Sequence, residues 1–264
     1  MWEIYAELIS LVPAELKIKE CMTGLNWFLV RSQGVGIAMT PREGNRNYCF
    51  ADKIIGSPVR EIAQWIMSWN NYEAAMGLAA LNSAINIPAR LEETLGVKLA
   101  EQPAEQVFTF MQDRLRGKKV AVIGHFRELE TLAPICRLSV LERLPLAGDY
   151  PDPACEYILP QQDYVFITAT TLINKTLPRL LELSRQAYVV LVGPSTPLTP
   201  VLFKYGVDML AGTAVVDRPR VWRLMQEGDQ QQFFQSGGRM VKITAEDWRE
   251  HFQVENCSVV RLAK

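Results

Sequence analysis

His125 stands directly after a glycine in GKKVAVIGHF (117–126), and an imidazole with a pKa of about 6.5 suits general acid–base work or metal ligation. A lone loop histidine is more often a hydrogen-bonded surface group. Glu142 lies eighteen positions beyond Gly124, near the roughly twenty at which a carboxylate accepts hydrogen bonds from a ribose; Arg137 or Arg143 offers it a plain ion pair instead. The run TATTLINKT (168–176) is dense in hydroxyls and amides, so Thr170, Thr171 and Asn174 can contact a polar ligand or cap the next helix. In GPSTPLTP (193–200) the prolines stiffen a loop that presents Gly193, Ser195 and Thr196. Ser195 has neither a G-x-S-x-G elbow nor an evident His–Asp pair, which makes it a better oxyanion or phosphate donor than a nucleophile. Asp217, followed by Arg218 and Pro219, suits a helix cap as well as a site.

A metal is poorly served by these residues. The chain has 2 histidines and 5 cysteines, the latter scattered without a C-x-x-C pair, so a closed nitrogen and sulfur site and a disulfide framework are both disfavoured. Any metal would be held by Glu73, His125, Glu142 or a ligand that itself chelates. A dinucleotide is disfavoured too, because Gly124 is followed by His-Phe-Arg-Glu-Leu rather than by the second and third glycines of G-x-G-x-x-G.

These residues need a sheet to position them. From 108 onward the pattern alternates strand and helix, with apolar strands expected at 120–124, 138–142, 164–169, 188–193 and, more weakly, 207–212. Runs this uniformly apolar fit a parallel sheet covered on both faces, by helices that include 129–137, 177–186 and 218–227. Gly124, His125 and Phe126 then form one wall of a strand-end site. The region 230–235 and the tail beyond Gly238 read as a terminal strand or loop. The first hundred residues differ. Trp2, Tyr5, Leu8, Ile9 and Val12 recur at helical spacing before Pro13, and three extended runs separated by Thr23-Gly24 and Gln33-Gly34 predict an antiparallel meander. A polar loop through Gly44, Asn45 and Arg46 leads to helices at 59–68 and 72–86. Asn70 and Glu73 have the spacing of a capping box, and the alanine-rich helix behind them is a packing helix that Pro88 prevents from running on. The expected fold class is α/β: a smaller α+β domain (1–103) with a meander and helices, then a Rossmann-like parallel-sheet domain (104–264).

At 264 residues, with 48% hydrophobic and 22% charged residues and a net charge of -1, the profile is that of a globular protein without the basic excess of a nucleic-acid binder. No run approaches the roughly 20 apolar residues of a membrane span, and a cytoplasmic protein is expected. The partner expected is a small-molecule ligand or metal chelate, not nucleic acid or membrane; a homo-oligomer is left open.

TATTLINKT and GPSTPLTPVLFKYGVDMLAGTAVVD, preceded by GLNWFLVRS, AMTP and SWNNYEAAMGLAALNSAIN, resemble the putative heavy-metal chelation family of two-domain prokaryotic proteins over nearly the whole chain. The resemblance implies an enolase amino-terminal-like domain before a Rossmann-like one, with an active site between them. It further implies condensation or hydrolysis of flavin-, pterin- or siderophore-like molecules. The matching positions are Thr40, Asn70, Glu73, Asn82, Gly124, Thr171, Asn174, 193–197 and Asp217; His125 is a local reading that the resemblance does not supply. Glu73, His125 and Asn174 are the candidate catalytic residues, and the others named are candidate ligand contacts. A non-catalytic carrier of a metal complex and an S-adenosylmethionine- or nucleotide-binding enzyme are the competing readings.

Overall fold

The computed structural model describes residues 2–44, 50, 52–228 and 232–252. Near the amino terminus, β1 (Glu20–Thr23), β2 (Trp27–Arg31) and β3 (Val35–Met39) pair antiparallel in sequence order, joined by the two expected glycine turns. Helix α1 (Glu3–Ser10) buries Ile4, Tyr5, Leu8 and Ile9. Helix α2 (Val59–Ala63) tightens into a 3-10 turn (Gln64–Met67), and α3 (Asn71–Ile85) follows after the break at 68–70. Nearly every α3 side chain is buried, so its alanines and Gly77 mark a helix packed on several sides. Pro88 opens a separate helix α4 (Pro88–Leu95), where a missing N–H costs nothing, and Gly96 ends it in the left-handed region.

The second sheet has seven strands: β4 (Lys119–Ile123), β5 (Arg137–Glu142), β6 (Tyr150–Pro151), β7 (Tyr164–Thr168), β8 (Tyr188–Val192), β9 (Met209–Val215) and β10 (Gly238–Thr244). Their spatial order is β10-β9-β8-β7-β4-β5-β6. All neighbours are parallel except β10, which adds antiparallel to β9. Helices α5 (Val107–Leu115), α6 (Cys155–Ile158), α7 (Leu177–Leu183), α8 (Val201–Lys204), α9 (Arg218–Gln226) and α10 (Ala245–His251) accompany the sheet. The chain leaves β4 toward β5 and β6, then returns to β7 on the other side of β4. The crevice beyond the carboxyl ends of β4 and β7 is therefore the topological switch point, where open α/β sheets bind ligands.

The sheet confirms the five expected strands, with β9 shifted to Met209–Val215, and makes Gly238–Thr244 a strand; Gln232–Phe234 is instead a 3-10 turn, and beyond the strand a capping box of Thr244 and Asp247 starts helix α10 where a strand or loop is expected. Other expectations fail locally. The helix expected at 129–137 is a 3-10 turn (Arg127–Thr131) followed by turns, because Pro134 has no N–H to donate and its ring disfavours helical geometry at Ala133. Strand β5 is only half-buried, since just two residues of β6 lie beyond it. Asn45, Arg46, Cys49, Gln230 and Cys257 lie outside the described residues. Cys21, Cys136 and Cys155 are free thiols. No helix among the described residues is long and apolar enough to cross a membrane.

One hydrophobic cluster runs through both sheets' neighbourhoods. Tyr5, Leu8, Ala75 and Ala79 share it with Ile123, Leu172, Leu198 and Leu210. The amino-terminal segment is thus packed onto the large sheet by continuous apolar contact, which fixes its position over the strand ends.

Candidate functional site

At the switch point Gly124 has φ +99, and a Cβ there would lie 3.1 Å from Thr168 Cγ2, so the turn needs glycine for conformation as well as space. The turn exposes His125, whose backbone N–H donates to Glu142 Oε2 at 3.0 Å and whose Nδ1 lies 3.3 Å from Asp149 Oδ2. The Asp149 side chain is only 6% exposed against 43% for His125, and it also accepts the Leu146 N–H at 3.0 Å. A fixed carboxylate thus orients an exposed imidazole. Glu142 is engaged on both oxygens, the second by the Arg143 N–H at 2.7 Å, so it meets that arginine's backbone rather than forming the anticipated ion pair. The Arg143 guanidinium instead reaches Glu43, beyond β3, at 3.2 Å. Phe126 turns into the packing, its ring 5.3 Å from that of Phe108.

On the other side of the crevice the hydroxyls of Thr168 and Thr170 are 3.1 Å apart, and the buried Thr171 hydroxyl donates to Thr168 O at 2.6 Å. Asn174 Oδ1 accepts the N–H and the hydroxyl of Thr176, at 3.1 and 2.7 Å, at the start of α7. The next residue, Lys175, escaped the sequence reading. It has φ +65 without being glycine, is 5% exposed, and its Nζ donates to Ile173 O at 2.6 Å. Burial lowers its pKa to about 8 against the opposing pull of the Glu73 carboxylate. Glu73 belongs to α3. Asn70 caps that helix by accepting the Tyr72 N–H at 3.0 Å, but no direct capping box forms: Glu73 accepts the Ser68 hydroxyl at 2.5 Å, and Ser68 Oγ accepts the Asn70 N–H at 3.1 Å. Trp69, 73% exposed, places its ring 5.9 Å from Lys175 Nζ, and the Trp2 ring stands edge-on to it at 5.7 Å.

Lys175 also makes stability depend on pH. Its folded pKa of about 8 is below the ordinary 10.5, so between these values the unfolded chain binds the extra proton. Below pH 8 both states are charged and the full penalty applies; stability rises from pH 8 to 10.5 and levels off above. We expect Lys175→Met to abolish a rise of about 3 kcal/mol, read as the difference between wild-type and variant urea midpoints at pH 7 and pH 10.5.

The GPSTP loop is buried rather than open. Ser195 Oγ accepts the Met39 N–H at 2.9 Å, and Asn82 Nδ2 donates to Ile37 O and Ser195 O, both at 3.0 Å. Asn86, one helical turn on, donates to Thr196 O at 2.9 Å and accepts the Leu198 N–H at 2.9 Å. Ser195, Thr196 and Asn82 therefore join the two segments. Gly193 (φ +114) faces open space, and the Thr40 hydroxyl donates to Gly24 O at 2.8 Å within the meander. Asp217 caps α9 by accepting the Arg220 N–H at 3.0 Å. With Arg220, Phe234, Ser236 and Arg239, Asp217 lines a shallow cavity of about 390 Å³ beside β9 and β10, apart from the other candidates.

Among the described residues no group of three or more His, Cys, Asp or Glu side chains is placed to hold a metal ion. The carboxylates next to His125 already accept backbone N–H groups. This donor set does not fit a resident metal centre.

The architecture is that of a Rossmann-like α/β protein carrying an antiparallel α+β segment over the carboxyl edge of its sheet. The chain belongs to the DUF364 family, described as putative heavy-metal chelation, whose model matches residues 106–244; a second model of the same description, DUF4213, matches 5–85. An uncharacterised protein of Methanocaldococcus jannaschii is 30% identical over 73% of this chain and 75% of its own length. A crystal structure of a DUF364 protein of unknown function from Desulfitobacterium hafniense is 42% identical with a TM-score of 0.84, over 92% of this chain and 98% of that one. A Pyrococcus horikoshii member, 24% identical with a TM-score of 0.74 over 91% of this chain and 98% of that one, shares the fold.

Proposed function

We propose that the chain is a two-domain enzyme, 1–103 and 104–264, that binds a flavin-, pterin- or siderophore-like molecule at the junction and condenses or hydrolyses it in heavy-metal chelation. The supporting observation is that groups of both segments meet around the switch point: the Glu73 carboxylate of α3 acts on the charge of the buried Lys175 amine, and Glu43 beyond β3 pairs with Arg143, whose backbone N–H donates to the same Glu142 carboxylate that accepts the His125 N–H. In this reading His125 is the general acid–base, with Nδ1 turned to Asp149 and Nε2 toward the ligand. Asn174, its Oδ1 engaged, offers amide N–H groups, and Glu73 supplies negative charge from the facing segment. Metal enters as cargo on the ligand's own donors.

Denaturing the purified protein is expected to release a heterocyclic or metal-chelating compound identifiable by mass spectrometry. With that compound as substrate, His125→Ala is expected to lower turnover about 100-fold or more at an unchanged thermal midpoint, and Glu73→Ala or Asn174→Ala to abolish it. Equal affinity with the compound returned unaltered by wild type would instead indicate a carrier. A stoichiometric transition metal, lost when His125 and Glu142 are replaced together, would overturn the cargo reading.

A further inference from the structure

Lys175 is more unusual than its hydrogen bond requires. Its left-handed backbone, φ +65, is one that glycine adopts freely and that strains a lysine by about 1 kcal/mol. Its amine is drawn inward to Ile173 O, whereas lysines ordinarily extend their charge into water. Two groups from the amino-terminal segment act on it: the Glu73 carboxylate, itself fixed by Ser68, through its charge, and the exposed ring of Trp69, 5.9 Å from Nζ. The phenol of Tyr5, on α1, donates to Leu172 O nearby and is kept protonated by burial, so Glu73 is the charge that faces the amine. A desolvated amine beside an acid, roofed by an aromatic ring, has the composition of an imine-forming site.

We infer that Lys175 is a nucleophile that forms an imine with an aldehyde or ketone admitted past Trp69, making carbonyl compounds the substrate class of this cleft. This rests on the reading that the cleft takes a small molecule. The Nζ lone pair adds to the carbonyl carbon while the oxygen takes a proton. The resulting carbinolamine loses a proton from nitrogen, and its hydroxyl leaves with another proton as water. One C=O becomes one C=N, one water is released, and no oxidant or reductant takes part; Glu73 is the group available to carry the protons. The lowered pKa supports the assignment, because about a tenth of Lys175 is free amine at pH 7, against well under a thousandth of an ordinary surface lysine.

The test is reductive methylation of the full chain with formaldehyde and cyanoborohydride at pH 7, with the rate at each lysine read by peptide mass spectrometry. Formaldehyde needs no recognition, so the rate reports the amine itself. Lys175 is expected to react at least about tenfold faster than Lys98, Lys118 and Lys204. Benzaldehyde in the same assay is expected to yield one adduct, at Lys175, absent from Lys175→Gly. That glycine variant relieves the backbone strain, and a thermal midpoint no lower than that of the wild type separates loss of the adduct from unfolding. Labelling at Lys175 no faster than at exposed lysines overturns the inference, and so does a benzaldehyde adduct spread over the surface. If a small molecule still copurifies in that case, the function proposed above stands without this step; fast labelling with an empty cleft has the opposite meaning.

Discussion

Asn86→Ala is expected to lower the unfolding free energy by about 3–5 kcal/mol, and the thermal midpoint by roughly 10 °C, although Asn86 carries no proposed chemistry. Its amide is buried at 3% exposure and serves backbone far away in sequence. Nδ2 donates to Thr196 O at 2.9 Å and, more weakly, to Thr213 O at 3.4 Å, and Oδ1 accepts the Leu198 N–H at 2.9 Å. Truncation leaves these groups dry and without their amide partner, at about 1–3 kcal/mol for each well-formed bond, and it leaves a cavity besides. Asn86→Asp makes the argument sharper. A carboxylate can still accept from Leu198, but it would face the Thr196 carbonyl with negative charge and no proton, so it should be destabilised about as much as the alanine. Urea unfolding at pH 7 with an unchanged slope measures both. A loss under 1 kcal/mol for either variant would mean that the GPSTP loop is held by its apolar contacts and the Ser195 bonds to Met39 and Asn82, without help from Asn86.

The role of Asn86 shows where sequence reading stops. The small-residue face of α3 marks a packing helix, and the apolar runs give β4, β5, β7, β8 and β9, because periodicity and side-chain volume are local. Asn82 and Asn86 sit in the same string, and an amide on such a helix reads equally as a ligand contact or a strut. Only the partners decide, and Ser195, Thr196 and Leu198 lie more than a hundred positions away. Asp149 is invisible for a similar reason: it meets His125 through the excursion between β5 and β6, at no spacing that a motif would mark. Lys175 reads as an ordinary polar residue in LINKT, since burial and a positive φ are properties of the folded backbone. The turn at Pro134 is different, because the proline that interrupts the helix expected at 129–137 is itself legible in the sequence.

Gly36→Ala should be the most damaging single methyl in the chain: folding is expected to fail, or stability to fall by more than about 4 kcal/mol. Gly36 is not in the left-handed region, so its requirement is spatial. A Cβ there would lie 2.0 Å from Ala79 O, 2.2 Å from Ser83 N and 2.7 Å from Asn82 C. All three are backbone atoms of α3, so no rotamer change can make room; β3 and the helix must separate. Such a shift propagates in both directions, since α3 carries Asn70 and Glu73 at one end and Asn82 at the other, and Gly34 N–H donates to Ser83 O at 2.9 Å across the same contact. The control is Gly56→Ala, at φ +86 with nothing within 4 Å, where only conformational strain of about 1 kcal/mol is expected. Thermal denaturation of both variants, followed by tryptophan fluorescence, separates crowding from strain. If Gly36→Ala melts within a few degrees of Gly56→Ala, the β3–α3 contact is soft, and a rigid placement of Glu73 against Lys175 loses its physical basis.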